Sequence, residues 1–452
     1  MKFELSEVID RSPVGPYQLR IVLICALVAL LDGLDIQAMA LVTPSLREQW
    51  DLPASAFGPV ISASFAGIMV GMLGLGLLGD RWGRRKVLIL SFLLVGITSV
   101  LTGLSNSIDE LIIYRLLTGV GIGGCLPNVT ALTAEFVPSN RTAFFVTLMY
   151  SAVPLGGVIG GYVGGAIISQ MGWPSIFFLG GIIPLILCVV IYFLLPESVR
   201  FLAQKPDQQE RVGKILEKID RSYQYSREDK FSVPIRDKGG AITDLFSAGM
   251  APLTLLLWGV FFFSLFGMYM LTSWLPTVFV ELGWAIDDAI RSVSYFWLGG
   301  IAGGLVAGWL IDRYGPYRVL VPGFALAALL TAAIGISTGD GWRVLAVVLA
   351  SGFGVVGAQL AMTALAAELY PTHIRSTGVG WGLGIGRVGA VISPIAGGYA
   401  VSAQWSQGEL FAAAAVPFVI CSILALLMGL AARALQRQGG DSSSHPLPSE
   451  TA

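Results

Sequence analysis

Four ionisable side chains sit inside stretches that are otherwise apolar: Asp32 and Asp35 in ALVALLDGLDIQAMAL, Arg115 in LIIYRLLTGVGIGG and Arg387 in GLGIGRVGAVIS. A charge at the centre of a bilayer helix costs about 2.5–3.5 kcal/mol on insertion scales, so a chain that keeps four of them has a use for them. Asp32 and Asp35 stand about 60° apart around a helix, so both can face one cleft. A carboxylate in a low-dielectric cavity favours its neutral form, and a nearby arginine reverses that preference. A group that alternates between the two settings takes up a proton on one side and releases it on the other. Arginine stays charged and presents a fork that suits a carboxylate ligand held at two points. This pattern points to binding of an organic anion coupled to a proton. The blander alternative is that Asp35 and Arg115 form a buried ion pair that only fixes helix packing.

The elements that must hold these groups are membrane helices. The chain has 452 residues, 55% hydrophobic and 13% charged, where soluble domains carry about 25% charged residues. A net charge of −1 argues against nucleic acid as a partner. Cys25, Cys125, Cys188 and Cys421 fall in apolar runs at unrelated spacing and form no disulfide or metal framework. A ruler of roughly 20 apolar residues per crossing gives twelve spans, from 20–43 to 409–432. The predicted organisation is all-α: a cytoplasmic N-terminus (1–19), a six-helix half (20–195), a polar central loop (196–250), a second six-helix half (251–432) and a disordered cytoplasmic tail (433–452). Of the 28 basic residues only Arg47, Arg291 and Arg343 fall in loops opposite the termini, and only Arg115 and Arg387 within spans. Both termini are therefore expected in the cytoplasm.

The halves repeat each other. Gly76-x-x-x-Asp80-Arg81-x-Gly83-Arg84-Arg85 after span two recurs as Gly308-x-x-x-Asp312-Arg313-x-Gly315 after span eight. Glu135-x-x-Pro138…Arg141 after span four recurs as Glu368-x-x-Pro371…Arg375 after span ten. Parallel duplication of six-helix halves is the architecture of major facilitator transporters, with the binding cleft between the halves at mid-membrane. In the same register Asp32 and Asp35 fall on Ser264 and Gly267, Arg115 on Val348, and Arg387 near Val153. The loop motifs occur twice, whereas each costly intramembrane charge occurs once. Scaffold is duplicated; chemistry is not.

Asp80, Arg81 and Arg84 are read as a latch between the cytoplasmic ends of the halves, with Asp312 and Arg313 as its second copy. Glu135 with Arg141, and Glu368 with Arg375, are read as cytoplasmic gating pairs. Small residues every fourth place in span five (156, 160, 164 and 157, 161, 165) and span eight (299, 303 and 300, 304, 308) serve either as a sliding surface between the halves or as tight static packing. Among the aromatics Phe263, Phe266, Tyr269, Trp274, Tyr295, Phe296, Trp297 and Trp381, sequence does not choose which could sandwich a ring.

LLDGLDIQAMALVTPSL, RLLTGVGIGGCLPNVTALTAE, LPESVRFL, LLTSWLPT and GVGWGLGIGRVGAVISP together resemble the aromatic acid:proton symporters of the major facilitator superfamily, over about residues 17 to 430. The resemblance implies uptake of aromatic carboxylates with protons, as by bacterial 4-hydroxybenzoate and protocatechuate permeases. It carries the family's paired helix-one acids onto Asp32 and Asp35, and its arginines onto Arg115 and Arg387. Its loop acid falls on Asp80 and its post-helix-four glutamate on Glu135. Gln359 and Asn128 sit in family-like contexts as substrate contacts. The second-half loop departs from the fuller motif at Gly315-Pro316-Tyr317-Arg318.

The expectation is a monomeric symporter of a small aromatic carboxylate, a hydroxybenzoate, in a bacterial inner membrane, using the proton as coupling ion and no cofactor. Alternatives are symport of another organic anion (a phenylpropanoid, muconate, nicotinate), proton-driven drug efflux, or a non-transporting membrane sensor. Efflux is disfavoured because Ala152-Val153-Pro154-Leu155-Gly156-Gly157 lacks the glycine before proline that antiporters of this superfamily tend to carry. No nucleotide loop, metal-ligand cluster or nucleophile–base set supports an enzyme.

Overall fold

The computed structural model describes residues 2–220, 230–232, 242–247, 250–337, 341–370 and 374–441. The first half comprises α1 (Pro16–Trp50), α2 (Ala54–Trp82), α3 (Arg84–Gly103), α4 (Ile108–Phe136), α5 (Thr142–Tyr150 continuing as Ala152–Met171) and α6 (Pro174–Leu194). The second comprises α7 (Ala251–Glu281), α8 (Ile286–Tyr314), α9 (Pro316–Ile336), α10 (Gly341–Leu369), α11 (Arg375–Ser402) and α12 (Gln407–Asp441). Among the described residues eleven of these helices are long and apolar enough to cross a membrane. The twelfth is α1, a 35-residue helix that carries both aspartates.

Local chemistry sets the breaks. Gly83 and Gly315, at φ 101° and 81°, make the matching turns between α2 and α3 and between α8 and α9, a backbone region that side chains avoid. Ser107 caps α4 by accepting from the Glu110 backbone N–H, with Asp109 and Glu110 in the first turn facing the positive helix end. α12 runs past the predicted boundary at 432 as far as Asp441, because AARALQRQ is rich in strong helix formers. The rest of the tail lies outside the described residues.

The duplication holds in three dimensions. α2 packs on α4 as α8 packs on α10, α3 on α4 as α9 on α10, and α1 on α5 as α7 on α11. The α2–α4 crossing is close enough that a Cβ on Gly67 would strike the backbone at Gly119, and the repeat-related Gly299 and Gly352 meet α10 and α8 backbone in the same way. A polar clasp is repeated too: the Thr98 and Thr118 hydroxyls are 2.7 Å apart, and those of Thr331 and Ser351 3.1 Å.

The halves meet through α2 with α11, α5 with α8 and α1 with α7. At the face opposite the termini, Arg47 of α1 donates to Glu281 of α7 at 2.7 Å, and the Ser55 N–H donates to the Ser402 hydroxyl at 2.7 Å. Trp274 donates to the Pro394 carbonyl within the second half, while Gly58 of α2 lies against that same stretch of α11. The glycine stripes divide their labour. Gly157, Gly161 and Gly165 of α5 face Trp297, Ser294 and Asp287 across the halves, whereas Gly156 packs on Leu30 of α1. On α8, Gly299 and Gly303 face α10, so that stripe is packing within one half.

On the termini face several of the described polar segments pack onto the first half, whereas Ile242–Phe246 packs onto the second, its Leu245 carbonyl accepting from Thr254 at 2.8 Å. Lys2–Glu4 pairs in parallel with Lys230–Ser232, with Phe3 opposite Phe231. The helix Gln209–Ile219 buries Val212, Leu216 and Ile219. Asp10 accepts from the Ser139 N–H at 2.7 Å, and Gln18 donates to the Phe136 carbonyl at 2.7 Å.

Candidate functional site

The four intramembrane charges separate into two arrangements. Asp35 turns toward α4, where Arg115 donates from Nη1 to Oδ1 at 3.0 Å and from Nη2 to Oδ2 at 2.7 Å. Nη2 also reaches the Asp35 carbonyl at 3.2 Å, and Nε donates to Ser64 at 3.0 Å. The Phe177 ring of α6 lies 5.6 Å from the guanidinium carbon. Arg115 is fully buried, and all three of its nitrogens are engaged within the first half. It has no free nitrogen to offer a substrate, so the expectation that it lines a binding cleft does not match its geometry. The desolvated guanidinium is neutralised by the carboxylate beside it.

Asp32, one turn nearer the termini, is different. Its side chain is 4% exposed, yet neither carboxylate oxygen has a hydrogen-bond partner among the described residues. The cation whose field acts on Asp32 is Arg387 of α11, in the other half. Arg387 is half-buried with Nη1 unpartnered, and its charge acts on the Tyr269 hydroxyl of α7. Tyr269 packs on Phe65 of α2 across the halves, ring centroids 4.3 Å apart. Tyr150 of α5 feels both Asp32 and Arg387 and accepts a hydrogen bond from Thr130 at 2.9 Å. Five helices from both halves thus converge on one anionic and one cationic group that do not satisfy each other fully. An unpaired buried charge is expensive, and a ligand anion or a proton can relieve each side.

The repeat partner of Asp32, Ser264 of α7, donates to Gln359 of α10 inside the second half. Asn128 spends its amide nitrogen on the Gly124 carbonyl at 2.7 Å and the Leu75 carbonyl at 3.4 Å, bracing α4 on α2. Sequence reasoning left Tyr269 undistinguished among eight aromatics and passed over Phe65 and Tyr150. A single aromatic in an apolar span carries no signal of which way it points.

The loop residues also regroup. Arg84 bridges Asp80, at 3.2 Å, and Glu135, whose other oxygen accepts from Ser198 at 2.6 Å. Glu135 therefore pairs with Arg84, in place of the expected Arg141, which is exposed on the turn Ser139–Arg141. Lateral reach explains this, since Arg84 opens α3 directly beside the end of α4. These bonds stay within the first half. Arg81 and Asp312 are exposed, and Arg313 stacks beside Trp309 and Tyr314 at 5.7 Å. Arg375 is exposed and donates to the Tyr370 carbonyl at 3.4 Å. The side chain of Glu368 lies outside the described residues.

The pattern of the Major Facilitator Superfamily matches residues 25–338 and 257–450. The chain belongs to this superfamily. It is 37% identical to the 4-hydroxybenzoate transporter PcaK of Pseudomonas aeruginosa over 96% of this chain and 97% of that protein. It is 34% identical to a gallate transporter of Pseudomonas putida (94% and 95%), and 31% to a benzoate transport protein of Acinetobacter baylyi (94% and 93%). In fold it is similar to a bacterial Spinster homologue in an inward-facing, occupied conformation, with TM-score 0.72 and 17% identity over 93% of this chain and 98% of that one. A D-xylose–proton symporter gives 0.69 at 19% identity, over 91% and 97%. The protein is a membrane transporter of the aromatic-acid permease group, and no enzymatic role is implied.

Proposed function

We propose that this transporter imports a small aromatic carboxylate, a hydroxylated benzoate, together with a proton, across a bacterial inner membrane in which both termini are cytoplasmic. The observation that carries the reading is an unpartnered buried carboxylate, Asp32, in the field of an arginine of the other half, Arg387, whose Nη1 is also unpartnered. The relatives named above, for 4-hydroxybenzoate, gallate and benzoate, share a ring bearing one carboxylate.

The mechanism follows from competition for Arg387. While Asp32 is ionised it is the anion that Arg387 faces, and a substrate carboxylate nearby is repelled. A proton on Asp32 removes that repulsion and leaves the guanidinium to the substrate, so proton and anion favour each other. With both bound, the net charge between the halves matches the empty state, and closure carries no added charge penalty. One proton with one monoanion is electroneutral, so the pH gradient supplies the driving force. The contacts between Arg47 and Glu281 and between Ser55 and Ser402 close the outer side, while the Arg84 ion pairs stay inside the first half. That combination supports reading the structure as inward-facing. Asp35, already held by Arg115, is assigned to holding the first half together, and Asp32 to carrying the proton.

The test is uptake of labelled 4-hydroxybenzoate into proteoliposomes with an acidic exterior. Asp32→Asn should lose accumulation driven by the gradient and keep exchange of internal for external substrate. Accumulation by Asp32→Asn at the wild-type level would overturn the assignment.

A further inference from the structure

The first half contains a cavity of about 160 Å³ behind α1, walled by α1, α3, α4, α5 and α6. Its surface is almost entirely hydrocarbon, from side chains such as Leu31, Leu41, Phe92, Ile122 and Ile167. Asp32 and Asp35 stand in the wall, but the Asp32 oxygens are covered and those of Asp35 face Arg115. On the side away from the other half it is bordered by Val163, Leu179 and Ile183, whose exposure of 48%, 39% and 42% places them on the lipid-facing surface.

The duplication shows what shape belongs there. In the second half Gly267 stands where Asp35 stands in the first, and Pro417 and Cys421 of α12 stand where Pro184 and Cys188 of α6 stand. Next to Pro417, the fully buried Phe418 lays its ring against Gly267, and α7 packs closely on α12. The corresponding residue in α6 is Leu185, which turns instead toward Gly96 of α3. α1 and α6 then touch only sparsely, and the cavity remains between them. One half is filled by its own phenyl ring at the place where the other is hollow. The volume agrees: an apolar cavity of ~150 Å³ stays dry and takes up benzene.

We infer that this cavity is a binding site for a neutral single-ring aromatic molecule of the toluene class, drawn from the bilayer, and that its occupancy slows transport by bracing α1 against α6. An anion is excluded, because the wall offers no free donor and contains two acidic residues. Asp32 borders this cavity and also feels Arg387, but its oxygens are covered on the cavity side, and the binding claim does not rest on the transport reading.

Iodobenzene diffused into crystals of the full chain is the direct test. Iodine signal between α1 and α6 is expected. Signal only between the halves, no signal, or a lipid acyl chain filling the cavity would overturn the proposal. Gly180 borders the cavity, and no atom lies within 4 Å of the place a Cβ would occupy there, so Gly180→Phe should supply the missing ring and abolish the signal. Ile183→Phe at the mouth serves if that variant does not fold. In exchange assays with no gradient, toluene should lower the maximal rate of 4-hydroxybenzoate exchange without changing its KM. Gly180→Phe should raise the half-inhibitory toluene concentration at least about tenfold, the scale of one buried ring. Equal inhibition of wild type and variant would place the effect in the lipid and sink the regulatory claim. A chain that binds iodobenzene in the cavity but does not exchange 4-hydroxybenzoate would keep the site and count against the proposed substrate.

Discussion

Arg115 grips Asp35 at two points, 3.0 and 2.7 Å, with side-chain exposures of 0% and 6%. A pair this deep is a structural commitment of α1 to α4. Removing one partner strands the other as a bare charge, which typically costs about 3–5 kcal/mol, whereas replacing both by apolar residues costs far less. Arg115→Leu should therefore lower the thermal unfolding midpoint in detergent strongly, and Asp35→Leu with Arg115→Leu should recover much of the loss. Equal losses in the single and double variants would show that the ion pair is not what joins these helices.

Tyr269 feels the charge of Arg387, the arginine proposed to hold substrate, and packs on Phe65 across the halves. Tyr269→Phe keeps the ring contact and removes the hydroxyl. A hydrogen bond to a charged group contributes about 1.5–3 kcal/mol. Without it the guanidinium is free to swing onto Asp32 and compete with substrate. The expected result is a KM for uptake raised by roughly ten-fold or more, with protein yield and unfolding midpoint near wild type. An unchanged KM would remove Tyr269 from the site.

Arg47 and Glu281 join the halves at the face opposite the termini, with side chains 22% and 33% exposed. An ion pair that wet is worth about 0.2–1 kcal/mol, so Glu281→Gln should shift the balance toward outward opening by up to about fivefold. Distance distributions between spin labels at the outer ends of α1 and α7 would show a larger long-distance population. High salt should move the wild type in the same direction. A distribution insensitive to both changes would contradict a latching role.

Gly119 and Gly352 occupy matching places at the α2–α4 and α8–α10 crossings, where a Cβ meets backbone of the neighbouring helix. Backbone cannot be repacked as a flexible side chain can, so valine at either place should cost at least the usual 1–3 kcal/mol or so of overpacking. Both variants should show reduced monodisperse yield in size-exclusion chromatography, to a similar degree. Tolerance at one place and not the other would mean that the halves do not share this contact.

The membrane architecture was legible in sequence because hydrocarbon thickness and backbone satisfaction act on composition directly, one span at a time. The duplication was legible for a related reason: turn glycines such as Gly83 and Gly315, and crossing glycines such as Gly119 and Gly352, answer to local backbone geometry and so recur with the repeat. The unusual status of Asp32, Asp35, Arg115 and Arg387 was also visible, since charge in an apolar span has a cost wherever the span goes. Their partnerships were not visible. Asp32 and Asp35 are one helical turn apart and look interchangeable along the chain, yet α4 delivers Arg115 to one, and α11, from the other half, delivers Arg387 toward the other. The same applies to Glu135, whose neighbour in sequence was Arg141 but whose neighbour in space is Arg84. Ion pairing falls steeply with separation, and separations between helices are set by how the bundle packs. Sequence therefore determined which groups need a partner, and the tertiary structure decided which partner each one has.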